Sequence, residues 1–223
     1  MTKLSLIFKA ARQLGWSEIG PYLRYRIQLA SGILRWRTRP VSYLEAAEDV
    51  GEIHLPLFPI PEKGKYRRLL AGDSGLLLNE ADEIISRQVH LFGGEPVPLR
   101  LALGDELKHW TRHTGGQHLG EDIKLVWEPA RFGWATVLGR AYLLSGDETY
   151  AASFWMYVEE FQHANPPNLG PQWASGQEVA LRLMALAFSA GLIADSAYTT
   201  PERINLLRGV IAAHADRIAA TLD

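Results

Sequence analysis

The sequence predicts a mainly α-helical fold, built from antiparallel helical hairpins behind an irregular N-terminal segment. Three observations carry that expectation. Gly146-Asp147 reads as a stop and a start, with glycine closing one helix and aspartate capping the next. Ser175-x-x-Glu178 has capping-box spacing, and Thr200-Pro201 sets a cap and a proline at a helix entrance. Beyond residue 121 the apolar residues recur at helical spacing, as in Ile204, Leu207 and Ile211, with His214 and Ile218 on the same stripe. The short connections between such helices imply antiparallel neighbours.

Taken in order, residues 1–39 read as a helical arm with helices over 3–14 and 17–36. The second mixes Tyr22, Ile27, Leu29, Ile33, Leu34 and Trp36 with Arg24, Arg26, Arg35 and Arg37. Such a helix can lie on a membrane or cradle an anionic ligand, or it is a surface helix with solvated arginines. Residues 40–120 form a connecting region, irregular over 40–75, where Pro56, Pro59 and Pro61 confine any strand to an edge. A helix is expected around 77–91, ending at Gly93-Gly94, then an extended stretch at "EPVPLRLALG" and a polar loop over 105–120. The third region, 121–223, is entirely helical. Its first helix takes Pro129 in its opening turn and runs to Gly146. The next carries Tyr150, Phe154, Trp155, Val158 and Phe161 and ends before Asn165-Pro166-Pro167.

Composition narrows the function. Apolar residues make up 47% and charged residues 22% of the 223, as in a globular protein. A net charge of −2 and a pI near 6.4 argue against a nucleic-acid partner. With no cysteine, disulfides, thiolate catalysis and cysteine zinc sites are excluded. The four apolar residues before Lys9 are too few for a secretory core, so no signal peptide is read. The default compartment is the cytoplasm, with the periplasm left open. No stretch reaches the roughly 18 apolar residues of a membrane span.

Several groupings invite chemistry. His109, His113 and His118 suggest a metal, but no acidic partner completes a zincin-type motif, and the expectation is an exposed loop without metal. Leu138, Gly139, Tyr142 and Ala151 match tetratricopeptide spacing, yet no second copy follows at about 34 residues, and small residues at a tight helix crossing explain the match equally. Glu178 and Arg182 stand at i, i+4 in the favourable orientation. The rest of their helix is apolar round most of its circumference, so these charges are buried and paired or they line a cavity. Trp127, Glu128, Arg131, Phe132 and Trp134 place aromatics beside arginine, which suits a site for acidic sugars or the edge of a core.

Three segments together, "DIKLVWEPARFGW", "LGRAYLLSGDETYA" and "NPPNLGPQWASGQEVALRLMAL", resemble the N-terminal region of heparinase II/III-family proteins. The resemblance covers about 121–223 and extends loosely upstream to about 90. It implies an incomplete α/α toroid and β-elimination on polysaccharides containing uronic acid, with no nicotinamide, flavin or other cofactor. The substrate-binding residues it points to are Trp127, Arg131, Gln172, Trp173, Glu178 and Arg182. Gln172 departs from the family, which commonly has Asn there. The catalytic Asn-Asn-His segment is expected beyond Asp223, and the Tyr and second His later still. Tyr142, Tyr150 and Tyr157 do not match the catalytic tyrosine, so no catalytic residue is assigned and the chain's own enzymatic activity stays open.

The partner implied is an acidic polysaccharide, with the remaining toroid half and a β-sandwich domain if the gene continues. A non-catalytic helical binding or scaffold module is the alternative, and a tetratricopeptide-like peptide binder a further one. A toroid ending after four helices is also expected to expose the apolar face meant for the next hairpin.

Overall fold

The computed structural model describes residues 16–222, except 49, 61, 71, 73, 105–106, 114–116 and 119–120. It is mainly helical. The expected helix over 3–14 lies outside the described residues.

The helix expected over 17–36 is two: α1 (Trp16–Ala30) and α2 (Ile33–Arg37). Gly32 separates them at φ 80°, a left-handed conformation that glycine adopts without penalty. The expected irregular stretch of 40–75 contains α3 (Tyr43–Glu48) and α4 (Lys63–Leu70). α3 is capped locally, Ser42 N–H donating to Glu45 Oε2 at 2.6 Å and Glu45 N–H to Ser42 Oγ at 3.1 Å.

The helix expected at 77–91 is α5 (Ser74–Ile85), and its expected last turn is strand β1 (Gln88–His90). Arg87, at φ 61°, turns the chain out of the helix. Val89 then pairs with Val97 of antiparallel β2 (Pro96–Pro98). A second short ladder, β3 (Gln117–His118) with β4 (Glu121–Asp122), leads into α6 (Ile123–Ala130). Asp122 caps α6 by accepting from Lys124 N–H at 2.9 Å. Pro129 therefore lies at the end of α6, not in the first turn of a longer helix. The chain breaks at Phe132, φ 61°, and α7 (Gly133–Ser145) starts afresh. Burial holds that break in place: Phe132 is fully buried and meets Phe161 edge-on with centroids 5.1 Å apart.

α8 (Glu148–Ala164), α9 (Gly176–Leu192) and α10 (Pro201–Ala219) follow. Gly146 closes α7 at φ 78°, and Asp147 caps α8 by accepting from Thr149 N–H at 2.9 Å. Thr200 caps α10. α7 is the central element and packs on α5, α8 and α9; α9 packs on α10, and α10 on α3. Two close approaches set these crossings. A Cβ at Gly139 would meet Leu192 Cδ1 at 2.9 Å, so α7 meets α9 only through a glycine. Gly209 of α10 lies against the Tyr43 carbonyl with no room for a side chain. Within the tetratricopeptide-like spacing, Gly139 thus stands at a tight crossing.

The larger core gathers Phe132, Trp134, Phe154, Trp155, Tyr157 and Phe161 between α5, α7 and α8. Each such side chain contributes about 1.5–3 kcal/mol on burial. A smaller core joins Leu34, Ala46, Trp110, Trp173, Val179 and Ala213, tying the N-terminal helices to α9 and α10.

Candidate functional site

The six residues singled out from the sequence come together where α6, the Asn165–Trp173 loop and the start of α9 meet. They do so mostly as a buried lock. Gln172, Trp173, Glu178 and Arg182 are 1%, 0%, 6% and 1% exposed, which corrects their expected place on the wall of a cleft. Only Trp127 and Arg131 are partly open.

Arg182 is the hub. Its Nη2 donates to the Gln172 carbonyl at 2.8 Å and its Nη1 to the Ala130 carbonyl at 3.3 Å, tying the loop to the end of α6. Its Nε donates to His214 Nε2 at 2.8 Å. The guanidinium also lies over the rings of Phe161 and Trp173, at 4.8 and 5.5 Å. Burial lowers the Arg182 pKa to about 10. His214 donates Nδ1–H to the Val210 carbonyl at 2.7 Å, so it is neutral and accepts from Arg182. Burial first, and Arg182 second, hold its pKa well below 6.5.

The expected Glu178–Arg182 pair does not form. Glu178 takes Arg131 instead, through Nε at 2.5 Å and Nη2 at 2.8 Å, while Arg131 Nη1 donates to Glu128. The capping box is accordingly half made: Ser175 Oγ accepts from Glu178 N–H at 3.4 Å, but the Glu178 carboxylate is engaged elsewhere. Trp127 Nε1–H donates to the Pro171 carbonyl at 2.9 Å and Gln172 Nε2 to the Val126 carbonyl at 3.1 Å. Gln172 Oε1 is buried without a hydrogen-bond partner among the described residues. Arg217, one turn beyond His214 and 1% exposed, repeats the hub's role. It donates to the Trp173 and Ala174 carbonyls at 3.0 and 3.1 Å and stacks 3.8 Å over Trp110.

A more open site borders the same loop at Leu169. Gly170 N–H donates to the Lys108 carbonyl at 2.7 Å and Trp110 N–H to the Asn168 carbonyl at 3.0 Å, strapping 108–110 to the loop. A cleft of about 740 Å³ opens beside this strap, lined by Arg35, Pro40, Leu107, Lys108, His109, Arg112 and Leu169. Three of those residues are cations and none is acidic. The volume is in the range of small-ligand sites, about 300–1,000 Å³. His109 was expected in an exposed loop, yet it is 6% exposed. Its Nε2–H donates to the Thr38 carbonyl at 2.7 Å, and Nδ1 accepts from Thr111. Burial lowers its pKa, and Arg35 and Arg217 push the same way. The side chain of His118 lies outside the described residues, and no group of three His, Asp or Glu able to hold a metal occurs among those described.

A smaller cleft of about 160 Å³ between α5, β1 and α6 includes Glu80, Gln88, His90 and Glu128. His90 there is held above its ordinary pKa by hydrogen bonds to the Gly94 carbonyl and Glu83. The tyrosines set aside from the sequence are structural. Tyr150 donates to Asp82 at 2.9 Å and burial pushes it up to about 12, and Tyr157 donates to the Ile84 and Ile85 carbonyls.

Sequence reasoning missed Arg35, Lys108 and Arg112 as one group, because 77 residues separate the first from the last. It missed Arg217 too, although its place one turn after His214 on an otherwise apolar stripe was a usable signal. No protein-family model, no curated protein and no solved structure matches this chain.

Proposed function

We propose that this chain is the N-terminal part of a heparinase II/III-like polysaccharide lyase, acting on glycans that contain uronic acid. It supplies a wall of the substrate cleft and holds the polymer's carboxylates at Arg35, Lys108 and Arg112. In that reading α7 to α10 are an incomplete α/α toroid. The resemblance assigns the elimination chemistry to an Asn-Asn-His segment, a tyrosine and a second histidine, and it matches none of these to a residue named here.

One observation carries the reading. The proline-rich loop that joins the resembling segments into one cluster also presents Leu169 to a cleft whose charged lining is three cations. Guanidinium groups suit carboxylates because their paired N–H donors match the two oxygens. Leu107, Leu169 and Pro40 give a sugar's apolar face something to lie on.

Electrophoresis through gels containing alginate, heparin or neutral dextran tests the binding. Retardation by the acidic polymers alone, fading with salt and lost in R35Q/R112Q, is expected. Equal mobility in every gel would refute it. Ultraviolet absorbance of unsaturated uronate, measured on the longest form of the protein, then separates a lyase from a non-catalytic binding module.

A further inference from the structure

The overall charge of −2 hides a strong asymmetry. The first 39 residues hold eight Lys and Arg against one acidic residue, Glu18, while the remaining 184 hold fifteen basic and twenty-four acidic residues. A basic arm thus precedes an acidic body, a pattern associated with polyanionic surfaces.

That arm is also apolar on the side turned away from the protein. Tyr25 and Leu29, one turn apart on α1, pack on the smaller core. Leu23 and Ile27 each precede them by two residues, about 200° round the helix. They point the opposite way and are 50% and 65% exposed. On α2, Leu34 is fully buried while Ile33 and Trp36 are 44% and 80% exposed. A surface helix ordinarily turns charged residues to water. Here isoleucine, leucine and tryptophan stand among Arg24, Arg26 and Arg37.

We propose that α1 and α2 form an interfacial arm, laying Leu23, Ile27 and Trp36 into a bilayer rich in anionic phospholipid with the arginines at headgroup level. Tryptophan suits that boundary because its ring is apolar and its N–H polar. Aliphatic side chains gain nothing from a hydrated polysaccharide or a nucleic-acid backbone, so those polyanions explain the charge and leave Leu23 and Ile27 unexplained. A protein partner would need an acidic rim around an apolar groove, whereas an anionic bilayer supplies both layers at once. No helix among the described residues is long and apolar enough to cross a membrane, which fits an arm lying on the surface. This inference stands apart from the proposed lyase function, since Arg35, which lines the basic cleft, is left untouched in its test.

The test is co-sedimentation of the whole chain with vesicles of phosphatidylcholine alone and of phosphatidylcholine mixed with phosphatidylglycerol. L23S/I27S/W36S keeps the charge, and R24Q/R26Q/R37Q keeps the apolar surface. Each should retain the far-ultraviolet circular dichroism of the parent. The parent should sediment with the anionic vesicles only, and each triple variant should lose at least about tenfold in partitioning. Failure to bind anionic vesicles would overturn the proposal. So would binding that survives L23S/I27S/W36S, which would reveal adsorption by charge alone, or tighter binding to a DNA duplex than to the vesicles.

Discussion

Arg131 holds Glu178 from 47 residues away in sequence, Nε and Nη2 donating to the two carboxylate oxygens at 2.5 and 2.8 Å. The carboxylate side chain is only 7% exposed and the guanidinium 28%, so this pair joins the end of α6 to the first turn of α9 with the carboxylate largely shielded from water. Arg131→Ala strands a buried charge and should cost about 3–5 kcal/mol, read from the urea unfolding midpoint. Arg131→Lys should recover only part of that, because an ammonium cannot grip both oxygens in the planar fork. A loss below about 1 kcal/mol in the alanine variant would show that α6 and α9 are held by packing alone.

The His214–Arg182 contact sets a pH dependence. His214 is neutral when folded, and its pKa lies well below 6.5. The unfolded chain therefore takes up a proton near pH 6.5 that the folded chain refuses. Stability from this group is full above about pH 6.5 and falls as the pH drops through 6.5 towards the lower folded value. His109 is shifted in the same direction and adds to the loss. Melting temperature measured from pH 8 to 5 should decline below 6.5, and His214→Gln should flatten the decline. An identical slope in the variant would remove His214 from the account.

Three glycines should rank by what a methyl group would meet. Gly209→Ala drives a Cβ into the Tyr43 carbonyl and should be the most damaging, since backbone on both sides has to move. Gly139→Ala meets Leu192 Cδ1, which can rotate away, and Leu192 Cβ at 3.1 Å, which gives only if α9 shifts slightly, and should cost about 1–3 kcal/mol. Gly146→Ala meets nothing but must hold φ 78°, worth about 1 kcal/mol. Denaturant melts of the three check the order, and a Gly139 variant less stable than the Gly209 variant would reverse it.

Local chemistry was legible in the sequence, and long-range competition was not. The caps at Asp147, Ser175 and Thr200 could be read because a cap and its partner lie within three residues. The breaks at Arg87 and Phe132 could not, because both residues adopt left-handed φ that only tertiary packing holds. The i, i+4 rule pointed Glu178 to Arg182, but a better-placed guanidinium arrived from α6. The six residues singled out lie close together, yet the burial of four of them was hidden, because the carbonyls that Arg182 serves come from Ala130 and Gln172. The basic cleft needs Arg35 and Arg112 together, a juxtaposition that no local pattern signals.

Met184 and Phe188 stand one turn apart on α9 and are 58% and 39% exposed. M184E/F188E should leave the melting temperature almost unchanged, as for other exposed substitutions. It should also lower any concentration-dependent association seen by size-exclusion chromatography. Unchanged association would place the contact elsewhere.

We propose that acidic glycan binds at Arg35, Lys108 and Arg112, and not at the cluster around the buried Arg182. Isothermal titration of a uronate oligosaccharide into the parent chain, R35Q/R112Q and W127A tests it most directly, with each variant confirmed folded by circular dichroism. R35Q/R112Q should lose at least about tenfold in affinity while W127A stays near the parent value. Loss in W127A with full binding in R35Q/R112Q would instead place the site at the α6 entrance.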